Sequence, residues 1–376
     1  MIFPDYDRSI LSTTASVLKY FGTDSGYPCL SELDARLAQK PRHVALILTD
    51  GAGVIPMEKS LDAGSWMRSH IRATVTSICP STTTAACTSY FNGLSALEHG
   101  WAGWFLYFKE YAADGATFFR NTYYTNQPIK GPQPAVALMP FDTVFDRIRR
   151  ASPEIVCRTQ YAFDAYCVHG AHENLRVSTF RELCDNQIRI SAGQERTFTL
   201  SYWGQPDTAM HMSGVGSSAA AEQFAAIDRE LRRLSEKLTD TLLIVTADHG
   251  LINSDPVDIT KMPDLMECLV MPPMIESRCA AFYVKAHRKE RFERVFREKM
   301  GDCFLLFSRE EVYRAGLFGR GQAHPKFDDF IGDYVACAVS DRHIEYPVPG
   351  MKAGRLIGLH AGLTEDEMLV PVMTNL

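Results

Sequence analysis

The sequence predicts an α/β fold: a mostly parallel central sheet flanked by helices, with a small α/β cap inserted into it. Three observations predict this. Short apolar runs bounded by polar or turn residues recur along the chain, amphipathic stretches lie between them, and the region from about 251 to 342 breaks the rhythm. Strands covered on both faces read as continuous apolar runs, and their alternation with helices marks a parallel sheet.

The strand runs are His43–Leu48 (HVALIL), Phe198–Trp203 (FTLSYW), Leu242–Thr246 (LLIVT) and Ala280–Lys285 (AAFYVK). The clearest helix is Ser217–Leu238, where Phe224, Ile227, Leu231, Leu234 and Leu238 recur by threes and fours. Arg229, Glu230, Arg232, Arg233 and Glu236 fill its other face, as in a helix with one side on a core. From 251 to 342 a proline cluster (Met271–Met274, MPPM) leads into strand, helix, strand, helix and strand patterns. One of these, Arg288–Met300, is a heavily charged helix that reads as a solvated face. The expected division is a core of residues 1–250 and 343–376, with 251–342 as the cap. A second insertion, Trp101–Pro140, is rich in aromatics and glycine and suits a substrate mouth. Its run WAGWFLYFKEY is balanced between core packing and a substrate shelf, and Lys109 within it reads as a solvated lysine.

Composition narrows the function. A chain of 376 residues with 46% hydrophobic content can bury a full core. A net charge of −6 argues against binding to nucleic-acid duplexes, which calls for a basic face. The start, MIFPDYDRSILSTTASVLKYF, lacks a basic segment followed by a long apolar run, and no stretch reaches the roughly 18 apolar residues of a membrane span. The expectation is a cytoplasmic protein without a membrane partner. Ten cysteines at irregular spacing, with no CxxC pair, read as reduced, mostly buried thiols.

The chemistry lies at strand ends. Asp50 and Gly51 follow HVALILT; Asp207 and His211 follow FTLSYWGQP; Asp248, His249 and Gly250 follow LLIVTA; His360 stands in GRLIGLHAGL. In an open α/β sheet, ligands bind outside the carboxyl ends of the strands, so residues far apart in sequence can converge there. Three carboxylates and three imidazoles are poorly matched without cations. Two divalent ions neutralise them and suit mixed oxygen–nitrogen ligands, with zinc leading and manganese the alternative. The spacing of Asp207 and His211 lets both face one ion. In Pro80–Asn92 (PSTTTAACTSYFN), three threonines precede a short helical stretch. Unpaired N–H groups at a helix start hold phosphate oxygens, and a threonine hydroxyl beside a metal is an activated nucleophile.

The segments LILTDG, PSTTTAACTSYFNGLSALEHG, PDTAMHMSG, VTADHG and HAGLTEDEMLVP, from about residue 43 to 371, resemble the alkaline phosphatase superfamily. They are most similar to its type I phosphodiesterase / nucleotide pyrophosphatase branch, in the same order. The resemblance implies that Asp207, His211 and His360 hold one ion. Asp50, Asp248 and His249 would hold the other, with the nucleophile's oxygen. Counting back from His99–Gly100 places the nucleophile at Thr83, with Thr82 and Thr84 as neighbours in contention. It implies a two-metal phosphodiesterase acting on a small-molecule phosphoester through a phospho-threonine intermediate. A phosphomonoesterase or carbon–phosphorus hydrolase on the same core is the alternative, and an inactive metal-binding domain is the alternative from another class.

The chain departs from the branch at three places. Trp104 stands where nucleotide-hydrolysing members carry an asparagine, Ala85–Ala86 replaces Pro-Asn, and Met210 replaces the glycine before His211. No C/S-x-P-x-R motif of sulfatases is present. His43, His70, His169, His172, His287, His324 and His343 match no ligand position, and His99 reads as closing the turn after the nucleophile helix.

Overall fold

The computed structural model describes residues 1–161, 170, 173–348 and 356–375. A seven-stranded sheet runs in the order Ile71–Thr76, Leu369–Thr374, Thr241–Thr246, His43–Thr49, Thr197–Trp203, Val156–Tyr161, Glu173–Arg176. Every pairing is parallel except those of Leu369–Thr374, which runs antiparallel to both neighbours. All seven residues of the central strand His43–Thr49 are buried. His43 pairs with both Thr197 and Thr241, so three parallel strands end at one level. This common carboxyl edge places Asp50, Asp207 and Asp248 side by side.

The helices follow their periodicity. Ser218–Lys237 is capped by the Ser217 side chain and buries Phe224, Ile227, Leu231 and Leu234. Helix Thr83–Asn92 is buried at every residue, which its small side chains permit.

A second, antiparallel sheet has the order Phe304–Ser308, Tyr334–Ala338, Cys279–Phe282, Met274–Ile275, Phe105–Phe108, Ala113–Ala116. It therefore unites strands from 274–338 with two from the aromatic 101–140 segment. Helix Lys289–Met300 carries its charges outward, but packs Phe292, Val295, Phe296 and Met300 on this sheet. The apolar run Ala280–Lys285 does not stay a strand to its end. Asp333 takes over beyond Phe282: its N–H donates to the Phe282 carbonyl, and its Oδ2 accepts the Val284 N–H at 2.8 Å. The nine described cysteines form no disulfide. Cys79, Cys279 and Cys337 meet in the interior, with Sγ of Cys279 and Cys337 3.6 Å apart. No described helix is long and apolar enough to cross a membrane.

Candidate metal centre

The centre is assembled from loops that are themselves stitched together. The Asp50 N–H donates to the Trp203 carbonyl at 2.9 Å, and the Asp207 N–H donates to the Asp50 carbonyl at 3.1 Å. Gly51 has φ +72°, and a Cβ there would lie 2.6 Å from Leu251 Cδ1 and 3.0 Å from the Asp207 Cα. Only glycine allows this approach, and its N–H then donates to Asp248 Oδ1 at 3.1 Å. Asp207 opens the helix Asp207–Ser213, so His211 follows one turn later with Nε2 3.2 Å from Asp207 Oδ2.

Three histidines converge, and each is oriented the same way. Nδ1 of His211 meets the Gly358 carbonyl at 2.7 Å, that of His249 the Gly250 carbonyl at 3.1 Å, and that of His360 the Ser81 carbonyl at 3.1 Å. A carbonyl only accepts, so each Nδ1 carries a proton and Nε2 is left as the nitrogen that faces inward. Fixing the tautomer through the outer nitrogen is how metal-ligating histidines are held. His249 and His360 stack with centroids 3.8 Å apart. Ala361, directly after His360, sits at φ +93°, a left-handed conformation costly for alanine and common at functional sites.

Ligand atoms of Asp207, His211 and His360 lie within 4.8 Å of one another, as do those of Asp50, Asp207 and His249. Asp207 thus borders both groups. Asp248 joins through His249, whose Nε2 is 3.4 Å from Asp248 Oδ2 and 3.5 Å from Asp50 Oδ1. Asp50 Oδ1 and Asp207 Oδ1 are buried with no hydrogen-bond donor among the described residues. Burial, then Asp248 and Asp207, pushes the Asp50 carboxyl well above the ordinary range, although Tyr202 donates its hydroxyl to Asp50 Oδ2. Burial and the neighbouring His249 and His211 hold His360 well below its usual range, hence neutral. Buried carboxylates with orphaned oxygens beside inward-facing imidazole nitrogens form a donor set that suits divalent cations.

The three threonines separate cleanly. Thr83, the first residue of the buried helix, has Oγ1 3.2 Å from His249 Nε2 and 3.4 Å from Asp50 Oδ2. Thr82 turns away and donates to Glu276 Oε1 at 2.8 Å. Thr84 Oγ1 is buried without a partner among the described residues. His99 receives the Trp101 N–H on Nδ1 and meets Ser89 Oγ at 3.2 Å, closing the turn at Gly100.

Above Thr83 opens a cleft of about 680 Å³ bordered by Asp50, Asp207, His211 and His360 on the metal side and by Trp104, Phe119 and Trp203 on the other. The aromatic run divides by residue: Trp101 and Phe108 are core, whereas Trp104 faces the cleft, edge-on to Phe118 at 5.1 Å. Lys109 is exposed and paired with Asp329 at 2.8 Å. His43 is buried against Thr197 Oγ1, and His70, His287, His324 and His343 take no part in the grouped ligands. His169 and His172 lie outside the described residues.

Several contributors escape a reading of the sequence. Tyr202 looks only like a strand residue. Glu276 stands in a loop yet receives both Thr82 Oγ1 and the Trp104 N–H, the latter at 2.9 Å. Arg278 and Glu367 form a fully buried bidentate pair at 2.6 and 2.7 Å. Glu367 also accepts from the Gly362 N–H and Thr364 Oγ1, clamping the chain after His360. Its Thr364-x-x-Glu367 spacing is a capping box, the one signal that could have found it.

Comparison with known proteins now decides the family. The model of the type I phosphodiesterase / nucleotide pyrophosphatase family matches residues 64–341, well over half of the chain. The chain belongs to the type I phosphodiesterase / nucleotide pyrophosphatase family. It is therefore a phosphoric ester hydrolase of the alkaline phosphatase superfamily. Murine ectonucleotide pyrophosphatase/phosphodiesterase 5, an inactive form in complex with AMP, superposes with a TM-score of 0.64 at 16% identity, covering 88% of this chain and 87% of that one. The human counterpart gives 0.65 at 16% identity over the same shares. Phosphonoacetate hydrolase from Sinorhizobium meliloti 1021, in complex with phosphonoformate, gives 0.66 at 16% identity over 89% and 90%. At such identities these structures share the family's fold. No curated protein sequence matches significantly.

Proposed function

We propose that this hydrolase cleaves phosphodiester or pyrophosphate bonds of a small-molecule substrate, with Thr83 as nucleophile and two divalent ions as cofactor. The observation that carries it is Thr83 Oγ1 standing within 3.4 Å of both His249 Nε2 and Asp50 Oδ2 at the foot of an aromatic cleft. Asp207, His211 and His360 would hold one ion, and Asp50, Asp248 and His249 the other. Zinc suits this mixture of imidazole and carboxylate. When bound, the ions would supply charge neutralisation at the phosphoryl oxygens and lower the pKa of nearby hydroxyls.

The chain's own residues account for the rest. Thr83 Oγ1 attacks phosphorus as its proton leaves, the ester oxygen opposite departs, and a Thr83 phosphoester remains. Water then attacks that phosphorus in line, releasing product and restoring the hydroxyl. Helix Thr83–Asn92 begins at the nucleophile, so the N–H groups at its start would be available to phosphoryl oxygens. The same reading takes residues 1–250 and 343–376 as catalytic core and 251–342 as cap.

The preference for diesters follows from charge. No lysine or arginine borders the cleft among the described residues, so no side-chain cation there adds to the two ions against the second negative charge of a monoester. Trp104, Phe119 and Trp203 instead offer flat apolar walls to an ester arm, where stacking of a base contributes about 1–3 kcal/mol. The comparison to run is bis-p-nitrophenyl phosphate against p-nitrophenyl phosphate on metal-replete enzyme. A higher kcat/KM for the diester supports the proposal. A higher value for the monoester moves the protein to the phosphatase alternative, and bound metal without turnover on a broad panel moves it to a binding module.

A further inference from the structure

Cys79, Cys279 and Cys337 bring three sulfurs to one point of the interior, and the reaction derived above uses none of them. Cys279 and Cys337 face each other across two antiparallel strands of the second sheet, with Sγ atoms 3.6 Å apart. Cys79 comes from elsewhere: it stands between strand Ile71–Thr76 and helix Thr83–Asn92, four residues before Thr83. The three Sγ atoms lie within 4.8 Å of one another, and all three residues are fully buried. No histidine, carboxylate or further cysteine among the described residues joins the group. Buried cysteines are often only small apolar filling. Here, however, the spread is that of a ligand set, since sulfurs bonded at about 2.3 Å to one tetrahedral centre stand about 3.8 Å apart.

Charge selects the guest. Three thiolates around copper(I) leave two negative charges, and around zinc one, with zinc also short of its fourth donor. The neighbouring cation does not offset them. Arg278, next to Cys279, commits all five N–H donors to Glu367, Ser254 Oγ and the carbonyls of Ser340 and Arg342. Its charge is already matched by Glu367 at 2.6 Å. An uncompensated charge in such an interior is strongly unfavourable. A trivalent centre avoids it. Arsenous acid condenses with three thiols: three As–O bonds give way to three As–S bonds, and each hydroxyl leaves as water with a thiol proton. The product is neutral, and nothing is oxidised or reduced.

The segment carrying Cys79 is held on the metal centre at both ends. Ser77 Oγ donates to the Asp248 carbonyl at 2.6 Å, and the Ser81 carbonyl accepts from Nδ1 of His360 at 3.1 Å. Drawing Cys79 Sγ onto a centre shared with the second sheet therefore pulls on the stretch that ends at Thr83. We propose that Cys79, Cys279 and Cys337 form a binding site for one arsenic(III) centre, and that its occupation slows turnover through the segment leading to Thr83.

The probe is sodium arsenite on reduced, metal-replete protein, read by native mass spectrometry and arsenic-edge X-ray absorption. One arsenic per chain should be taken up with loss of three hydrogens, and it should have three sulfur neighbours. Cys79→Ser, Cys279→Ser and Cys337→Ser should each weaken uptake by about a hundredfold or more, as when one of several linked contacts is lost. Cys184→Ser, buried outside the group, should not. A variant that fails to fold binds nothing, so the absorption spectrum of the parent is the separate test. Hydrolysis of bis-p-nitrophenyl phosphate should slow in proportion to the arsenic bound, and arsenite should not slow Cys79→Ser. Only this last readout rests on the diesterase reading. If the parent is inert on the diester, that reading fails and uptake alone decides the site. Uptake with unchanged turnover overturns the coupling to Thr83. No uptake, fewer than three sulfur neighbours, or uptake indifferent to the three serine variants overturns the site itself.

Discussion

Thr83 Oγ1 and His249 Nε2 stand 3.2 Å apart although 166 residues separate them in sequence. Thr83 is not among the six proposed ligands, so its proposed role as nucleophile is separable from metal binding. Thr83→Ala should keep both ions and lose several orders of magnitude in kcat, as expected when a nucleophile is removed. Thr83→Ser should retain partial activity. Thr84→Ala removes only a buried hydroxyl without a partner and should stay active. Metal analysis and steady-state kinetics on the three variants check this, and a dead Thr84→Ala with an active Thr83→Ala would shift the register.

The ligand set predicts metal stoichiometry. Purified enzyme should carry close to two divalent ions per chain, and chelation should abolish turnover. Asp248→Ala or His360→Ala should each remove one ion and most activity. Because the imidazoles and carboxylates must be deprotonated to bind, metal affinity should fall as the pH is lowered. Elemental analysis across a pH series reads both effects.

The Arg278–Glu367 pair predicts a stability cost far from the reacting atoms. Neither side chain is exposed, and Glu367 also holds Gly362 and Thr364. Removing one partner strands a buried charge, so Glu367→Ala should cost about 3–5 kcal/mol in chemical denaturation. Occupancy of the ion assigned to His360 should fall with it, since the chain after that ligand loses its clamp.

Glu276 predicts a pH dependence with a definite sign. Burial raises its carboxyl to about 7, against the opposing pull of Thr82, the Trp104 N–H and His211. The folded protein therefore holds this proton more tightly than the unfolded chain, whose value is near 4.5. The stability it contributes is fully present below about 4.5 and is lost as the pH rises through about 7. In chelated protein, Glu276→Gln should remove that loss. The Tm of the variant relative to the parent should thus rise between pH 5 and 8; a constant difference would contradict the assignment.

The central sheet was legible because its middle strands are covered on both faces. His43–Thr49, Thr197–Trp203 and Thr241–Thr246 are almost wholly buried, and burial on both sides leaves an unbroken apolar run. Five of the six proposed ligands stand out because each follows such a run by a few residues, whereas His360 follows only the two-residue strand Gly358–Leu359. The edge strand Glu173–Arg176 (ENLR) was not legible, since it is largely exposed and carries no apolar pattern. Phe105–Phe108 read as an aromatic cluster because its local partner, Ala113–Ala116 (ADGA), carries no strand pattern and its other partner, Ile275, lies 170 positions further along the chain. Glu276 and Arg278 were missed for a related reason. Their partners, Thr82, Trp104 and Glu367, lie on segments far away in sequence, and no local pattern marks a residue whose function is a long-range contact.

The central claim is covalent catalysis by Thr83, and the most direct measurement is mass analysis of an acid-quenched reaction. Metal-replete enzyme is mixed with excess bis-p-nitrophenyl phosphate, quenched within one turnover, digested and mapped. Attack by Thr83 Oγ1 with loss of one p-nitrophenolate leaves a p-nitrophenylphosphoryl group on that oxygen. The account predicts this added mass on the peptide containing Thr83, fragmentation placing it on Thr83 itself, and its absence in Thr83→Ala. Full turnover with no adduct at any quench time, or an adduct located on Thr82 or Thr84, would contradict it.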